Sequence, residues 1–291
     1  MPKRILLTGA TGNVGRAVLR HLSNTESEVL AAVRDPASAG ATLPPADKLR
    51  FVPFDFGQPD TFGSVLQDVR AVFLLRPPML ADVDRYFVPL LDEIQQQNIQ
   101  HLIFLSVQGA DKSRFIPHAK IEAQIRERGI PYIFLRPSYF MQNLTTTLYA
   151  GIREKRKVEI PAGDAVFNWV DVDNIGEVAA LLLEQPGSHL NRALDITGTE
   201  NLSFPQALDR VNRVLTHPIG YRSVNPLRYL WRATRRGASF GNALTVAAIH
   251  YLQRFQAVAP VSPVYRELTG KAPTTLRAFA QRERHLLDPP A

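Results

Sequence analysis

Hydrophobic residues in the first half of the chain fall into short runs separated by segments with helical spacing. The apolar runs cover residues 5–7, 28–33, 50–54, 71–75, 101–106 and 132–135. Helical spacing between them is clearest at Val83, Phe87, Leu90, Leu91 and Ile94. Short, almost wholly apolar runs that alternate with amphipathic helices are typical of parallel strands buried on both faces. The pattern therefore predicts an α/β fold with a doubly wound parallel sheet over residues 1–137.

This regularity loosens after Pro137. A further strand is predicted at residues 193–197, mixed with helices near residues 174–184 and 203–216, and proline-marked stretches divide more helical segments. We predict that residues 138–291 complete the sheet and form a smaller, mostly helical lobe that binds substrate.

A glycine-rich turn follows the first predicted strand and leads into a predicted helix. Its residues are Gly9, Ala10, Thr11, Gly12, Asn13, Val14 and Gly15. A turn between a strand and a helix leaves unpaired amides at the helix start, where the macrodipole also favours an anion. The glycine spacing alone is weak evidence, but its position after a strand and before a helix predicts a Rossmann-type site for a dinucleotide pyrophosphate.

Composition and charge narrow the class of protein. The chain has 291 residues and no cysteine, which excludes disulfides, thiolate nucleophiles and cysteine-ligated metal sites and agrees with a cytoplasmic location. No apolar run is long enough for a membrane helix, so we expect no membrane partner. The net charge is +7, but the basic run at residues 153–157 is typical of a solvated helix end and lacks interleaved aromatic residues. The pattern therefore predicts no nucleic-acid partner.

Residues after the second predicted strand bear on the choice of dinucleotide. Arg34 leaves the strand first and Asp35 follows it. An arginine at this place can meet a 2′-phosphate, whereas an acidic residue binds a free 2′-hydroxyl. We expect NADP(H), with NAD(H) as the alternative. The alternative for Arg34 itself is a solvated charge on the loop.

Two more strand ends supply candidate cofactor contacts. Asp55 and Phe56 end the third strand, where Asp55 could accept a hydrogen bond from the adenine amino group or could instead close a turn. Leu75, Arg76 and Pro77 leave the fourth strand, where proline fixes the backbone and free carbonyls are expected. These residues are predicted to form a rigid wall beside the cofactor.

Several longer segments carry a resemblance to a known family. They cover residues 130–132, 135–143, 169–179 and 267–273, in addition to the glycine turn. Over nearly its whole length the chain resembles the NmrA-like family of atypical short-chain dehydrogenases. Relatives in that family include bacterial quinone, azo-dye and triphenylmethane reductases and isoflavone-reductase-like enzymes. The resemblance implies a Rossmann lobe that holds NAD(P)(H), a small C-terminal substrate lobe, and either reductase activity or redox sensing without turnover.

The expected acid of short-chain dehydrogenases is missing, because no tyrosine precedes a lysine by four positions anywhere in the sequence. The corresponding helix carries His118 and Glu122 on one face and Lys120 on another. Lys120 resembles the lysine that isoflavone-reductase-like relatives use as a base. His118 and Lys120 are therefore catalytic candidates. The alternatives are that His118 is a polar residue of the first helical turn and that Lys120 is a surface charge.

Ser106 ends the fifth strand, where short-chain dehydrogenases place a serine that faces the nicotinamide; the alternative is a hydroxyl that caps the next turn. Tyr139, Phe140 and Asn143 follow the sixth strand and could form an apolar shelf with one amide for an aromatic acceptor, with core packing as the alternative for Phe140.

Direct hydride transfer to a conjugated acceptor would tolerate the missing tyrosine, because its reduced product takes up protons easily. The sequence predicts an NADPH-dependent reductase of quinone-like or other conjugated small molecules without metal or flavin. The alternative is a cofactor-binding redox sensor that contacts another protein.

Overall fold

A computed structural model describes residues 3–43 and 46–288 of the chain. The strands in these residues are β1 Arg4–Thr8, β2 Glu28–Val33, β3 Leu49–Pro53, β4 Val69–Leu75, β5 His101–Leu105, β6 Tyr132–Pro137, β7 Tyr139–Phe140, β8 Lys157–Ile160, β9 Val166–Val170, β10 Arg192–Ile196, β11 Asn201–Ser203 and β12 Gly220–Ser223. The helices are α1 Asn13–His21, α2 Pro36–Thr42, α3 Phe62–Leu66, α4 Val83–Tyr86, α5 Val88–Gln96, α6 Pro117–Glu127, α7 Tyr149–Lys155, α8 Val172–Glu184, α9 Phe204–Asn212, α10 Pro226–Arg235, α11 Phe240–Leu252, α12 Val264–Thr269, α13 Leu276–Arg282 and α14 Arg284–Leu287.

The chain forms two compact units that interleave along the sequence. The first unit takes the described residues up to Pro137 together with Val172–Ile196 and Glu267–Gly270. The remaining described residues form the second unit. Residues 138–291, which we predicted to complete the sheet and to form the smaller lobe, contribute α8 and β10 to the first unit.

A seven-stranded sheet forms the centre of the first unit, in the order β3-β2-β1-β4-β5-β6-β10. Every neighbouring pair runs parallel. The residues of β1, β2 and β5 are nearly all buried, as apolar runs covered by helices on both faces require. The predicted doubly wound α/β fold is confirmed. Its strand order reverses between β1 and β4, so a crevice opens there at the carboxyl ends of the strands.

Close packing between α1 and α8 joins two sequence-distant parts of the first unit. A methyl group added at Gly176 in α8 would lie 2.6 Å from the side chain of Ala17 in α1. No side chain fits between the two helices at that point, which explains the glycine in the segment 169–179.

One helix predicted from hydrophobic spacing is interrupted. The apolar positions between Val83 and Ile94 belong to two helices, α4 and α5, that meet at Phe87. Pro89 lies in the first turn of α5, and its ring would clash with a carbonyl four residues earlier in a continuous helix. The hydrophobic face continues across the break, because Phe87, Leu90 and Leu91 are all fully buried.

The second unit contains more strands than the sequence pattern predicts. Besides helices it has β7, β8, β9, β11 and β12, and its core gathers Met141, Trp169, Phe204 and Phe279. These strands are two to five residues long and pair with partners far along the chain, so they leave little local periodicity. Within the described residues, no helix combines the length and apolar character that crossing a membrane requires.

Candidate functional site

The glycine turn lies at the crevice between β1 and β4. Gly9 has φ of +68°, a left-handed conformation that favours glycine. A methyl group on Gly15 would lie 2.1 Å from the carbonyl oxygen of Gly9, so the helix can approach the turn only without a side chain there. A methyl group on Gly12 would have the carbonyl oxygen of Gly9, 3.4 Å away, as its nearest neighbour beyond the adjacent residues. The surface above Gly12 is thus free for a ligand to approach the backbone.

The start of α1 is open for an anion. Gly12 is the N-cap residue and no side chain caps this helix. The amides of the first helical turn have no acceptor inside the helix, and the helix dipole adds positive potential. The pyrophosphate site at this helix start stays a prediction, and the uncapped helix leaves amides for it.

Thr8 fixes the turn to the neighbouring strand, a role that the sequence reasoning missed. Its buried hydroxyl donates to the carbonyl of Phe73 at 3.2 Å and accepts from the amide of Leu75 at 2.8 Å. The Leu75 side chain lies beneath Gly9, 3.1 Å from where its Cβ would be. A threonine at a strand end just before the glycine turn is the sequence signal that could have indicated this link.

Arg34 and Asp35 have different roles after β2. The Asp35 carboxylate is the N-cap of α2 and accepts from the amides of Ala37 and Ser38 at 3.0 and 3.2 Å. Arg34 is exposed and makes no ion pair or side-chain hydrogen bond within the described residues. The acidic residue is thus occupied by the helix, while the guanidinium is free to meet a ligand.

After β3, Asp55 closes a turn and Phe56 enters the core. The Asp55 carboxylate accepts from the amide of Gly57 at 2.8 Å, which is the turn role that the sequence left open. The Phe56 ring is buried against Phe54 and Phe87, with centroids 4.9 and 5.0 Å apart. Only the backbone of Phe56 is thus left for a cofactor contact.

Arg76 holds the segment after β4 in place. Its guanidinium donates to the carbonyls of Pro77, Pro78 and Leu80 at 3.0 to 3.1 Å. The prediction of free proline carbonyls was wrong, because the neighbouring arginine side chain turns back onto them. The predicted wall has internal hydrogen bonds, and they make it rigid.

His118 contacts the same arginine. The Nε of Arg76 lies 3.5 Å from Nε2 of His118. Burial, assisted by the positive charge of Arg76, lowers the pKa of His118 to about 3. His118 is therefore neutral at physiological pH, with Nε2 accepting from Arg76 and Nδ1 carrying the proton.

Ser106 belongs to a buried charged network that joins β5, α6 and β6. Its hydroxyl donates to Oε1 of Glu122 at 2.6 Å. Arg136 donates to both carboxylate oxygens of Glu122, at 2.9 and 2.6 Å, and Arg126 adds a contact of 3.1 Å. The hydrogen bond with Glu122 raises the pKa of Arg136. The Ser106 hydroxyl therefore donates its hydrogen bond to Glu122 and has only its lone pairs left to accept one from a ligand.

Lys120 lies away from this network. It is exposed, and its ammonium has no hydrogen-bond or ion-pair partner in the described parts of the chain. His118, which is half-buried, and Glu122, which is buried, share the side of α6 that faces away from Lys120, as their spacing along the helix requires.

The predicted substrate residues lie in the second unit, in an aromatic cluster. The ring of Tyr139 packs 5.0 Å from Phe167 and 4.9 Å from Trp169, and its hydroxyl lies 2.9 Å from Nε2 of His250. Burial raises the pKa of Tyr139, with partial compensation by a hydrogen bond from Asn143. Phe140 is half-buried beside it.

His250 was not identified from the sequence. Its Nδ1 lies 2.7 Å from the carbonyl of Val246, so Nδ1 donates to that carbonyl and Nε2 accepts from Tyr139. The two side chains are 111 positions apart, and nothing local marks the pair. Burial lowers the pKa of His250 to about 4, which keeps it neutral.

Residues 1–264 match the NmrA-like family. The chain belongs to that family. Similar proteins include an NAD(P)H azoreductase of Xenophilus azovorans, 27% identical with 95% of this chain and 96% of the relative covered. Prestalk A differentiation protein A of Dictyostelium discoideum is 26% identical, over 95% and 91% of the two chains. The structure of an Escherichia coli NADPH-dependent quinone oxidoreductase complexed with NADPH superposes with a TM-score of 0.84 at 21% identity, covering 96% of this chain and 99% of that one.

A second buried ion pair explains part of the segment 169–179 in this NmrA-like chain. Asp171 is fully buried and accepts from Arg282 at 2.8 and 3.1 Å and from Gln142 at 2.7 Å. All three residues belong to the second unit. The pair joins the end of β9 to α13, and Gln142 adds the segment after β7, so Asp171 stabilises the unit that carries Tyr139.

Proposed function

We propose that this NmrA-like protein is an NADPH-dependent reductase of quinone-like or other conjugated small molecules. The observation that carries the proposal is the turn at the β1–β4 crevice, where Gly15 packs on Gly9 and Gly12 stays open. A pyrophosphate needs this combination of unpaired amides and access to the backbone. The residues proposed for the dinucleotide are Gly9, Ala10, Thr11, Gly12, Asn13, Val14, Gly15, Arg34, Asp55, Phe56, Leu75, Arg76, Pro77 and Ser106.

The preference for NADPH over NADH rests on Arg34. Asp35, the residue that could have bound a 2′-hydroxyl, caps α2 instead. A free guanidinium offers a planar pair of donors to a 2′-phosphate, and the resulting charge-assisted bonds contribute more than neutral ones. The net charge of +7 adds long-range attraction for an anionic dinucleotide.

The chain's side chains near the crevice fit a reaction that needs no precisely placed acid. When bound, NADPH would supply a hydride, which carries one hydrogen and two electrons, and water would supply the single proton that completes a hydroquinone-type product. Ser106 is held as a hydrogen-bond acceptor by Glu122, so it suits an amide donor such as a carboxamide. Neutral His118 offers Nδ1–H as a donor to an acceptor oxygen, whereas Lys120 lies on another face of α6.

Relatives support this class of substrate. Two of them are an NAD(P)H azoreductase and an NADPH-dependent quinone oxidoreductase, and azo compounds and quinones are both conjugated acceptors. Tyr139, Phe140 and Asn143 are the proposed substrate residues, because they combine aromatic surface with one amide.

The test is turnover of NADPH and NADH with a panel of quinones and azo dyes, followed by the loss of reduced-cofactor absorbance. We expect oxidation that depends on the acceptor and is faster with NADPH. Ser106→Ala and His118→Phe should each lower kcat, with Lys112→Met as a matched exposed control. Binding of NADPH without oxidation above the acceptor-free rate for any member of the panel would contradict the proposal.

A redox sensor is the second candidate. Two observations favour it: the Ser106 hydroxyl donates its hydrogen bond to Glu122 and not to a ligand, and His118 is neutral. Among the relatives, one is named as a differentiation protein. A sensor would bind NADPH with unchanged affinity in His118→Phe and would show no acceptor-dependent oxidation in any form.

A further inference from the structure

A stretch of the second unit has no negative charge. Between Asp209 and Glu267 the sequence contains nine arginines and not one aspartate or glutamate. The whole chain has 27 acidic residues among 291, and an interval of this length without any acidic residue is therefore unusual. The interval includes α10 and α11, which pack against each other.

The same stretch exposes large apolar side chains. On α10, Leu227 is 74% exposed and Trp231 is 55% exposed, and Phe240 at the start of α11 is 64% exposed. Further exposed apolar residues in this stretch are Leu244, Ile249, Leu252, Phe255, Val258 and Val261. Scattered apolar residues are normal on a protein surface, but this concentration indicates that something covers the two helices.

On α10 the apolar and basic positions share one face. Leu227, Trp231 and Arg235 follow each other at intervals of four, with Arg228 beside them. The Arg235 guanidinium lies 4.3 Å from the centre of the Trp231 ring. Neither Arg228 nor Arg235 forms an ion pair within the described residues. Two positive charges without counterions thus flank an exposed tryptophan.

The other arginines of α10 are partly compensated by the unit's own carboxylates. Arg232 lies 3.3 Å from Glu159 in β8, and Arg236, just after the helix, lies 4.0 Å from Glu154 in α7. Helix α10 thus has an inward side, whose arginines form ion pairs within the unit, and an outward side, whose arginines do not form such pairs within the described residues.

Helix α11 is apolar on both sides. Its inner face buries Ala243, Ala247 and His250, as a packed helix should. Its outer face presents Leu244, Ile249 and Leu252 where a surface helix normally has charged residues. A partner of this helix must therefore offer an apolar environment, and a partner of the neighbouring α10 must also offer negative charge.

We propose that α10 and α11 form a docking surface for a membrane leaflet that contains anionic phospholipid. Leucine, tryptophan and phenylalanine would enter the boundary between headgroups and acyl chains, while Arg228 and Arg235 meet lipid phosphates. The expectation of no membrane partner came from the absence of a long apolar run, which bears on spanning helices and not on surface helices. The proposal does not depend on the cofactor site.

Charge argues against a second copy of the chain as the occupant. A twofold interface brings the same patch from both subunits together. Here that arrangement would place arginines of two copies near each other with no acid in the stretch to compensate them. An anionic lipid surface removes this repulsion.

The test is co-sedimentation of the full chain with vesicles of phosphatidylcholine alone and with added phosphatidylglycerol. We expect binding only to the anionic vesicles, and weaker binding at high salt. The double variant with Arg228→Gln and Arg235→Gln should have a partition coefficient about 25-fold lower, from roughly a fivefold effect per charge. Replacing Leu227→Gln together with Trp231→Gln should lower it at least about tenfold.

A matched control removes an exposed aromatic residue and an arginine elsewhere. Phe115 is 90% exposed in the first unit and follows Arg114. The variant carrying Arg114→Gln and Phe115→Gln should bind anionic vesicles like the unmodified chain, and circular dichroism should show that all variants are folded.

Three outcomes would overturn the proposal. The first is an absence of binding to anionic vesicles, or equal binding to neutral ones. The second is a dimer, detected by sedimentation, that only the α10 variants lose while none of the proteins binds vesicles. The third is a raised KM for the reduced acceptor in the α10 variants without any vesicle binding, which would assign the face to substrate.

Discussion

Removal of the Glu122 carboxylate should destabilise the first unit more than any exposed substitution on the same helix. Glu122 is 1% exposed and accepts hydrogen bonds from Ser106, Arg136 and Arg126. In Glu122→Ala, the buried guanidinium of Arg136 keeps Asp111, at 3.1 Å, as its one ion-pair partner among the described residues. An uncompensated buried charge costs about 3–5 kcal/mol, and we expect about 3 kcal/mol because Asp111 remains.

The isosteric variant separates charge from shape. Glu122→Gln keeps an acceptor oxygen for one donor but loses the negative charge, so we expect a loss of about 1–3 kcal/mol. Glu127→Gln is the control, since Glu127 is exposed on the same helix and accepts only from Gln124. Its effect should stay within about 0.5 kcal/mol.

The assay is urea unfolding followed by far-ultraviolet circular dichroism. Both tryptophans, Trp169 and Trp231, lie in the second unit, so their fluorescence would report on the wrong part of the chain. Equal unfolding midpoints for Glu122→Ala and Glu127→Gln would refute the reasoning, because the network would then contribute nothing beyond a surface contact.

Three further predictions concern other parts of the molecule. Arg34→Ala should raise the Kd for NADPH about 10- to 100-fold and leave the Kd for NADH within about twofold, measured by calorimetric titration. Asp171→Ala should lower the free energy of unfolding by about 1–3 kcal/mol, since Arg282 and Gln142 lose hydrogen bonds to a buried carboxylate while Arg282 keeps Glu283 at 2.8 Å, and tryptophan fluorescence should detect the shift. The pKa of His250 is lowered from 6.5 to about 4, so below pH 6.5 the unfolded chain binds more protons than the folded one. His250 should contribute a loss of up to about 3 kcal/mol between pH 6.5 and pH 4, in addition to the loss from His118, whose pKa is also lowered. The profile of His250→Gln should be flatter by that amount, and an unchanged profile would refute this assignment.

Features that depend on neighbouring residues could be predicted from the sequence. The strand, glycine turn and helix at residues 4–21 form one continuous segment, and their hydrophobic spacing and glycines determine them locally. The buried parallel strands of the first unit follow for the same reason. The crevice proposed for the cofactor could therefore be predicted, because it forms where the ends of these strands meet.

Features that depend on distant residues could not be predicted. The strands β11 and β12 are three and four residues long and pair with β9 and β8, which precede them by 30 residues or more. The bond between Tyr139 and His250 spans 111 positions. Even the local contact of Arg76 with the proline carbonyls requires a side-chain direction that spacing does not specify.

Titration of NADPH into the Gly15→Ala variant tests the central claim most directly. The added methyl group would lie 2.1 Å from the carbonyl oxygen of Gly9 and must displace the turn, whereas one on Gly40 in α2 would meet only the Phe51 ring at 3.8 Å. The account predicts that Gly15→Ala loses at least about 100-fold in NADPH affinity, equivalent to about 2.8 kcal/mol, while Gly40→Ala binds like the unmodified chain. Equal NADPH affinity in a folded Gly15→Ala protein would contradict the account, because the dinucleotide would then bind somewhere other than this turn.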